Sequence, residues 1–544
     1  MRYSRLADYY ERLEATTKKL EKRDILSELY GSSGDDLSRV VLLSMGIVFP
    51  AGDLELGVAK EMIKRTITKT YGISEKELDK KFKETGDLGL TAEFFSKNKR
   101  QSVLSRKDLD VEKVFDNLRK LPEISGAGSQ EKKVSLIAEL LSFASGKEAK
   151  YIVRTVLGEM RVGVAAGIVR DAIAKAFGKE PKEIEHVYNI IADYGKVAEL
   201  AKKDRLDVEI VIGSPLRVML AERAPDLKSA LEAYFAPTTE YKYDGFRVQI
   251  HKQDGKIKLF SRRLEDVTNQ FPDIVSLSKE SIKAKNCIIE GEVLAIDRNG
   301  KPKPFQDLSR RIQRKYDIEK MVKEIPIQVN LFDLIYYDNE SWMEKPLRER
   351  WKKLCEIVDE KKDFKLAENL ETKDIKKAEE FYKRSLALGQ EGVIVKNLDA
   401  AYKPGKRVGY WLKVKPIMEP LDLVIVGAEW GEGKRAKWLG TLVLAAKSGN
   451  EFLPTGMMGS GLTDEQLEEV TKRLKHLIIE EKGKGVKIKP NLVIEVGYEE
   501  IQKSTKYPTG YALRFPRLLR IREDRSKDDI NTTKDIEKLF KLQK

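Results

Sequence analysis

The segment Glu240-Tyr241-Lys242-Tyr243-Asp244-Gly245-Phe246-Arg247 is the most informative stretch of this chain of 544 residues. A lysine ends a strand-like run, and an Asp-Gly pair follows it. Taken alone the pattern is weak, because Asp-Gly is also typical of an ordinary hairpin turn. Two charged segments stand further along the chain, 391–396 (EGVIVK) and 411–415 (WLKVK). Their order and separation indicate that all three segments belong to one central domain.

The length and composition indicate a protein of several domains. A chain of 544 residues is too long for a single hydrophobic core, so we expect more than one domain. The hydrophobic fraction is 41% and the charged fraction 35%, which gives ordinary apolar content under a densely charged surface. Lysine and glutamate dominate the charge, as in many thermophilic proteins, where ion-pair networks cost less to desolvate.

The net charge of +14 and the isoelectric point of about 9.2 favour a polyanionic partner. On charge alone, nucleic acid and an anionic membrane both remain open as that partner. The N-terminus lacks the apolar segment of a signal peptide, and no run of 18 apolar residues occurs. We therefore expect a soluble, cytoplasmic protein with no membrane partner.

The chain has few cysteines and histidines, so catalysis or metal binding by these residues is not expected. The two cysteines, Cys287 and Cys355, lie far apart, which argues against a disulfide scaffold and a zinc ribbon. The three histidines, His186, His251 and His476, are scattered, so a histidine metal site or catalytic triad is not expected.

Residues 1–213 are predicted to form an all-α domain. Leu6, Tyr10, Leu13 and Leu20 recur near helical spacing. Further along, the segment 150–177 predicts a helix, a turn interrupted by glycines and a second helix. Three arginines flank those glycines, and the residues leave two interpretations open, contacts to phosphate groups or an ordinary solvated surface. They are Arg154, Arg161 and Arg170.

Residues 214–417 are predicted to form an α+β domain. The runs RVQIHK and KIKLFSRR flank Asp254-Gly255, which is the signature of a β-hairpin. Further strands are predicted in CIIEGEVLAID and IQVNLFDLIYYD. Charged helices are predicted at 343–358 and 372–388.

Residues 418–544 are predicted to form a third domain rich in short strands. Five segments of strand character recur, with one helix predicted near 463–481. This combination is typical of a small Greek-key β-barrel of the oligonucleotide-binding type, the OB-fold.

Seven motifs in family order resemble those of the covalent nucleotidyltransferases, which comprise polynucleotide ligases and capping guanylyltransferases. They are Lys242–Arg247, Ser261-Arg262-Arg263, Glu290-Gly291-Glu292, Phe332-Asp333, 391–396, 411–415, and Arg514-Phe515-Pro516-Arg517 with Arg522–Arg525. The resemblance is strong over about residues 230–544. The N-terminal region resembles the helical DNA-binding domain of archaeal and eukaryotic replicative DNA ligases. The family most similar overall is that of the archaeal ATP-dependent DNA ligases.

The resemblance implies a role for each matching residue. Lys242 is expected to attack ATP and carry AMP as a phosphoramide, which requires the neutral amine that nearby cations and partial burial favour. A bound divalent cation, Mg²⁺ or another such as Mn²⁺, is expected at Glu391 and Glu292. The remaining expected contacts to ATP are Glu240 and Phe332 at adenine, Arg247 and Glu292 at ribose and phosphate, Arg262 and Arg407 at phosphate, Lys413 and Lys415 at the α-phosphate, and Arg522 at pyrophosphate.

The implied activity is sealing of nicks in double-stranded DNA during replication, repair and recombination. AMP passes from the lysine to the 5′-phosphate, and the 3′-hydroxyl then displaces it. The resemblance also implies a monomer that binds a sliding clamp, and Gln101–Leu104 is a candidate clamp motif without its usual aromatic pair. One departure from the family pattern concerns the last motif, where Arg525 takes the place of the usual lysine. The positive charge is kept, but the planar guanidinium of arginine donates hydrogen bonds in a different geometry from the compact ammonium of lysine.

Two alternatives stay open at this point. An RNA ligase or a GTP-using capping enzyme shares the lysine motif, although the long helical domain and the RFPR–RIRED tail favour a DNA ligase. A DNA-binding scaffold with a dead nucleotide site belongs to a different class. The intact lysine, glutamates and paired lysines at 413 and 415 argue against it.

Overall fold

The computed structural model describes residues 1–50, 56–97, 108–126, 128–312, 317–416, 418–431, 435–459 and 461–542. The chain forms two compact units, Met1–Lys415 and Pro416–Lys544. The first unit holds both the helical region and the predicted α+β region, and the boundary at residue 213 stays a prediction. The candidate clamp motif Gln101–Leu104 lies outside the described residues.

The described part of residues 1–202 is helical, as predicted. Its helices are α1 (Tyr3–Ala15), α2 (Lys19–Gly31), α3 (Leu37–Ser44), α4 (Lys60–Tyr71), α5 (Glu75–Thr85), α6 (Leu88–Lys97), α7 (Val111–Arg119), α8 (Ser129–Phe143), α9 (Gly146–Val156), α10 (Ala166–Phe177), α11 (Pro181–Ile191) and α12 (Tyr194–Lys202). Leu6, Tyr10 and Leu13 lie in the core of this region. Leu20 is exposed, because α1 ends at Ala15 and Leu20 belongs to the first turn of α2.

Helices α9 and α10 are the predicted pair with a turn between them, and their arginines have acidic partners. Arg154 is buried and forms ion pairs with Glu14 (2.9 Å) and Asp87 (2.7 Å). Arg161 pairs with Glu159 and Arg170 with Asp171, and both of these ion pairs are partly exposed. In particular, the burial of Arg154 fits neither a solvated surface nor an open phosphate contact.

The rest of the first unit contains two main sheets and the helices that cover them. The elements are β1 (Glu222–Arg223), α13 (Leu227–Glu232), β2 (Pro237–Lys242), β3 (Phe246–Gln253), β4 (Lys256–Ser261), α14 (Pro272–Ser281), β5 (Asn286–Ala295), α15 (Phe305–Ile312), α16 (Ile318–Glu324), β6 (Ile327–Tyr337), β7 (Glu340–Ser341), α17 (Leu347–Ile357), β8 (Phe364–Leu366), β9 (Asn369–Glu371), α18 (Ile375–Ala387), β10 (Gly392–Asn397) and β11 (Trp411–Val414). One sheet has the order β1-β11-β10-β2-β9, and the other β4-β3-β5-β6-β7 with β8 beside β6.

The hairpin between β3 and β4 is as predicted. Gln253 pairs with Lys256 across a two-residue turn, and both Asp254 (φ 47°) and Gly255 (φ 78°) have positive φ. That backbone matches the right-handed twist of the flanking strands, which is why Asp-Gly favours it.

The second unit is rich in strands, as predicted. Its elements are β12 (Leu421–Trp430), β13 (Leu439–Ser448), β14 (Glu451–Met458), α19 (Asp464–Leu474), β15 (Ile478–Lys482), β16 (Gly485–Ile488), β17 (Val493–Gly497), β18 (Glu500–Lys503), β19 (Tyr511–Arg514), β20 (Arg517–Ile521) and α20 (Thr533–Leu542). The helix predicted near 463–481 is too long, since α19 ends at Leu474 and residues 478–482 pair with β16. Among the described residues, no helix is long and apolar enough to cross a membrane.

Candidate active site

Lys242 lies where the chain passes from one sheet of the first unit to the other. It is the last residue of β2, and β3 of the second sheet begins at Phe246. Gly245 is required in this crossing, because a Cβ there would lie 2.5 Å from the carbonyl oxygen of Val293 on β5. The turn therefore packs tightly against β5 and brings Lys242 beside the carboxylates of the neighbouring strands.

Lys242, Glu391 and Lys415 form one charged cluster. The backbone N–H of Glu391 donates to the carbonyl of Lys242 (2.9 Å), and Gly392 pairs with Lys242 across β10 and β2. The Lys242 Nζ lies 2.8 Å from a carboxylate oxygen of Glu391, which also forms an ion pair with Lys415. Burial would raise the pKa of Glu391, but the two ammonium groups outweigh it and lower that pKa to about 2.

Glu292 is the second carboxylate beside Lys242, and its environment raises its pKa, whereas that of Glu391 is lowered. It lies on β5 opposite Arg247 on β3. Burial raises the pKa of Glu292 to about 7, against the charges of Lys242 and Arg247, and Glu391 adds to the rise. Carboxylate oxygens are the ligands that Mg²⁺ prefers, so Glu391, which is already charged, and Glu292, whose charge burial disfavours, together fit a divalent cation. Within the described residues no group of three or more metal-ligating side chains occurs, so phosphate and water would complete the shell.

The purine-contacting residues expected from the sequence also come together. Glu240 on β2 is buried and forms an ion pair with Lys396 on β10 (2.5 Å). The Nζ of Lys396 lies 4.6 Å from the ring centre of Phe332 and 4.4 Å from that of Trp411. The rings of Phe332 and Trp411 meet edge to face, at 84°, so one aromatic face can stack on a flat base while the buried carboxylate reads its polar edge.

Arg247 is held between the aromatic pair and a buried polar network. Its guanidinium donates to Glu290 (2.6 Å) and to the carbonyl of Met219 (2.8 Å). The hydroxyl of Tyr402 donates to Glu290 (2.9 Å) and accepts from the backbone N–H of Met219 (2.8 Å). These contacts fix Arg247 in one orientation, within 5.3 Å of the ring centres of Phe332 and Trp411.

Other residues on the predicted list lie at the edge of this cluster or elsewhere. Arg262 is exposed just after β4 and lowers the pKa of Glu292 slightly, a smaller effect than those of burial, Lys242 and Arg247. Arg407 is exposed in the loop between β10 and β11. Lys413 lies on β11 opposite Ile394 of β10. Arg522 belongs to the second unit, where it pairs with Asp524 (2.7 Å) and Asp422 (3.1 Å).

Sequence reasoning assigned no role to Lys396, Trp411, Glu290 or Tyr402. Three of these stand inside quoted motifs, and alternation along β10 places Lys396 on the same face as Ile394 and Gly392. The sequence does not indicate a role for Tyr402, because this residue lies in a loop and its hydrogen-bond partner Glu290 is 112 positions away in the chain.

Comparison with known proteins decides the family. Three family models match the chain: DNA ligase N terminus over residues 2–174, ATP dependent DNA ligase domain over 218–415, and ATP dependent DNA ligase C terminal region over 435–525. The chain belongs to the ATP-dependent DNA ligase family. A DNA ligase of Thermococcus onnurineus is 46% identical over 100% of this chain and 98% of its own length. A DNA ligase of Nanoarchaeum equitans is 43% identical over 100% of this chain and 99% of its own length.

The fold is shared with a solved ligase structure. The structure titled Pmar-Lig_PreS3 matches with a TM-score of 0.59, at 18% identity, over 95% of this chain and 99% of its own. The family confirms the activity expected from the sequence, ATP-dependent ligation of DNA through an adenylated enzyme. It also rules out the capping-enzyme and RNA-ligase alternatives.

Proposed function

We propose that Lys242 is the nucleophile of this ligase. Its neutral amine attacks the α-phosphorus of ATP, the N–P bond forms, and the bond to pyrophosphate breaks. The observation that carries the proposal is the cluster at the sheet crossing, where Lys242 lies among Glu391, Lys415 and Glu292. Phosphoryl transfer depends chiefly on positioning and charge neutralisation, which a cluster of lysines and carboxylates provides.

The purine and ribose of ATP would lie along β2 and β10. Glu240 accepts from the amino group of adenine, and the ring of Phe332 stacks on the base. Arg247 and Glu292 hold the ribose and the adjoining phosphate. The network of Glu290 and Tyr402 supports this assignment, because it leaves Arg247 few other orientations.

The phosphate chain of ATP would contact four cationic residues. Lys413 and Lys415 offset the charge that builds on the α-phosphate, and Arg262 and Arg407 contact phosphate. Glu391 and Glu292 would hold Mg²⁺, or a similar cation such as Mn²⁺, which neutralises phosphate oxygens when bound. Arg522 of the second unit would orient the departing pyrophosphate.

The same site would then serve the DNA steps. AMP passes to the 5′-phosphate of a nick in duplex DNA, the lysine leaves as an amine, and the 3′-hydroxyl displaces AMP to close the strand. We assign DNA binding to residues 1–213, adenylation to 214–417 and an OB-fold to 418–544. A cytoplasmic monomer that binds a sliding clamp is the setting that we propose for this activity in replication, repair and recombination.

The test is covalent labelling without DNA. The protein is incubated with Mg²⁺ and ATP labelled at the α-phosphate, then denatured and resolved by electrophoresis. We expect label on the wild type, none on Lys242→Ala, and wild-type labelling of Lys256→Ala, which removes an exposed lysine of the same domain. A nicked duplex should discharge the label. Label retained by Lys242→Ala would contradict the proposal, as would an unlabelled wild type when ATP, GTP and NAD⁺ are each supplied.

A further inference from the structure

Lys396 is the buried cation closest to the carboxylate that we assign to the purine. Its side chain is 1% exposed and that of Glu240 is 6% exposed, and their charged atoms lie 2.5 Å apart. The ammonium also lies over the rings of Phe332 and Trp411. Lys396 therefore contacts three groups that would surround a bound base, namely Glu240, Phe332 and Trp411.

The register of the strands places Lys396 at the base end of the site. Gly392 pairs with Lys242, Ile394 with Glu240, and Lys396 with Thr238 across β10 and β2. Side chains two positions apart lie on one face, so Gly392, Ile394 and Lys396 follow one line from the reacting phosphate outward. At about 3.3 Å per residue, Lys396 lies four positions, roughly 13 Å, from the level of Lys242.

The charge of Glu240 depends on this lysine. Burial raises the pKa of Glu240, Lys396 opposes that rise, and Asp333 adds to it. Tyr243 in the turn also interacts electrostatically with Glu240, and Asp333 is itself paired with Arg350 (2.7 Å). A buried ion pair is often no more stabilising than an apolar pair of the same size, so stability alone does not account for it.

We propose that Lys396 is a specificity-determining residue that keeps Glu240 a carboxylate and so selects a 6-amino purine over a 6-oxo purine. An ionised carboxylate only accepts hydrogen bonds, whereas the protonated acid also donates. The ionised carboxylate can therefore accept a hydrogen bond from the amino group at position 6 of adenine, whereas the protonated acid can donate one to a 6-oxo group. This inference rests on the proposed binding of adenine by Glu240 and names the residue that sets its selectivity.

The test compares adenylation by ATP with nucleotidylation by inosine triphosphate, both labelled at the α-phosphate. Inosine triphosphate carries the 6-oxo group but lacks the 2-amino group of GTP, so only the polarity at position 6 and the N1 proton change. We expect the wild type to prefer ATP and Lys396→Arg to keep that preference. In Lys396→Met, the ratio of the two kcat/KM values should fall tenfold or more near neutral pH, then recover as rising pH ionises Glu240.

A double variant and a control separate selectivity from folding. Glu240→Gln with Lys396→Met removes both charges, and its lowered preference should not vary with pH because no carboxylate titrates there. Lys252→Met removes another buried lysine of the same domain, bonded to the carbonyl of Ile282, and should leave the preference unchanged.

The outcomes distinguish this inference from the proposed function. A wild type that forms no adenylate overturns the proposed function itself. An adenylated Lys396→Met with the wild-type ratio overturns only the role of Lys396, and so does an equal change in Lys252→Met. If Lys396→Met fails to fold, the double variant decides: a ratio equal to that of the wild type overturns the inference.

Discussion

At the scale of single residues, the two carboxylates beside Lys242 have opposite pKa shifts because their environments differ. Lys242 and Lys415 overcome the effect of burial at Glu391 and hold its pKa near 2, whereas burial prevails at Glu292 and raises its pKa to about 7. Glu391 is therefore charged across the physiological range, while Glu292 gains its charge only near neutrality. A cation bound between them would compete with the proton on Glu292.

The raised pKa of Glu292 predicts that Glu292→Gln stabilises the protein at high pH. A carboxyl with a folded pKa above its unfolded value of 4.5 costs nothing below that value. The cost grows as pH rises from about 4.5 to 7 and is complete above 7. Calorimetry should show equal melting of variant and wild type at pH 4, and a variant more stable by on the order of 3 kcal/mol at pH 8.5.

The same substitution should remove most of the adenylation activity, because the amide binds no cation well. Stability and activity would then change in opposite directions, as expected where a functional site stores unfavourable charge. A Glu292→Gln protein that melts below the wild type at pH 8.5 would contradict the assigned ionisation of Glu292.

At the scale of elements, the sequence predicted local features better than tertiary partners. The β3–β4 hairpin follows from Asp254-Gly255, and the helices α9 and α10 follow from the glycine-interrupted segment 150–177. Lys242 and Glu391 were predicted together because their motifs occur in the order and at the separation typical of the family. The partnership of Lys396 with Glu240 was missed, since it depends on the register of β10 against β2, which local sequence does not fix.

The errors in the predicted elements have the same origin. Leu20 continues the apolar spacing of α1 but lies in the first turn of α2, because apolar spacing alone does not show that one helix ends and another begins. The charged run after Leu474 has helical composition, yet residues 478–482 form a strand by pairing with β16. Tertiary pairing overrides local propensity where the two conflict.

The junction between Glu391 and β10 predicts that Gly392→Ala damages the site. Gly392 has a φ of 137°, and a Cβ there would lie 2.2 Å from the carbonyl oxygen of Val414 on β11. Relief of that contact would separate β10 from β11 and move Glu391 away from Lys415. We expect a loss of roughly 2–4 kcal/mol in the free energy of unfolding and at least a tenfold fall in adenylation.

Gly389→Ala is the matched control for this prediction. Gly389 also has a positive φ (76°), but a Cβ there would meet no atom within 4 Å. It should cost only about 1 kcal/mol from backbone strain and leave adenylation intact. Both substitutions would be measured by denaturant unfolding and by labelling. Equal effects would show that backbone strain, and not the contact with Val414, causes the loss of stability and activity.

At the scale of the whole molecule, the net charge of +14 predicts that salt weakens DNA binding steeply. Neutralising phosphates releases counterions, so the logarithm of the binding constant should fall linearly with the logarithm of salt concentration. A slope of several units is expected for nicked duplex of any sequence, measured by fluorescence anisotropy. Adenylation without DNA is the control and should respond far less. A flat response would exclude binding of duplex DNA through phosphate contacts.

The final prediction concerns the second unit, where acidic side chains fix the orientation of the Arg522 guanidinium. Its guanidinium donates to both carboxylate oxygens of Asp524 (2.8 and 2.7 Å) and pairs with Asp422. If this arginine orients pyrophosphate, Arg522→Ala should slow enzyme adenylation about a hundredfold, the scale of a lost transition-state donor. Sealing of a nick that already carries AMP releases no pyrophosphate, so it should fall much less. Arg520→Ala removes an exposed arginine paired with Glu495 and should leave both rates near the wild type. Equal losses in the two assays for Arg522→Ala would place its role in DNA binding or in folding of the second unit, because only a contact to pyrophosphate separates the first step from the last.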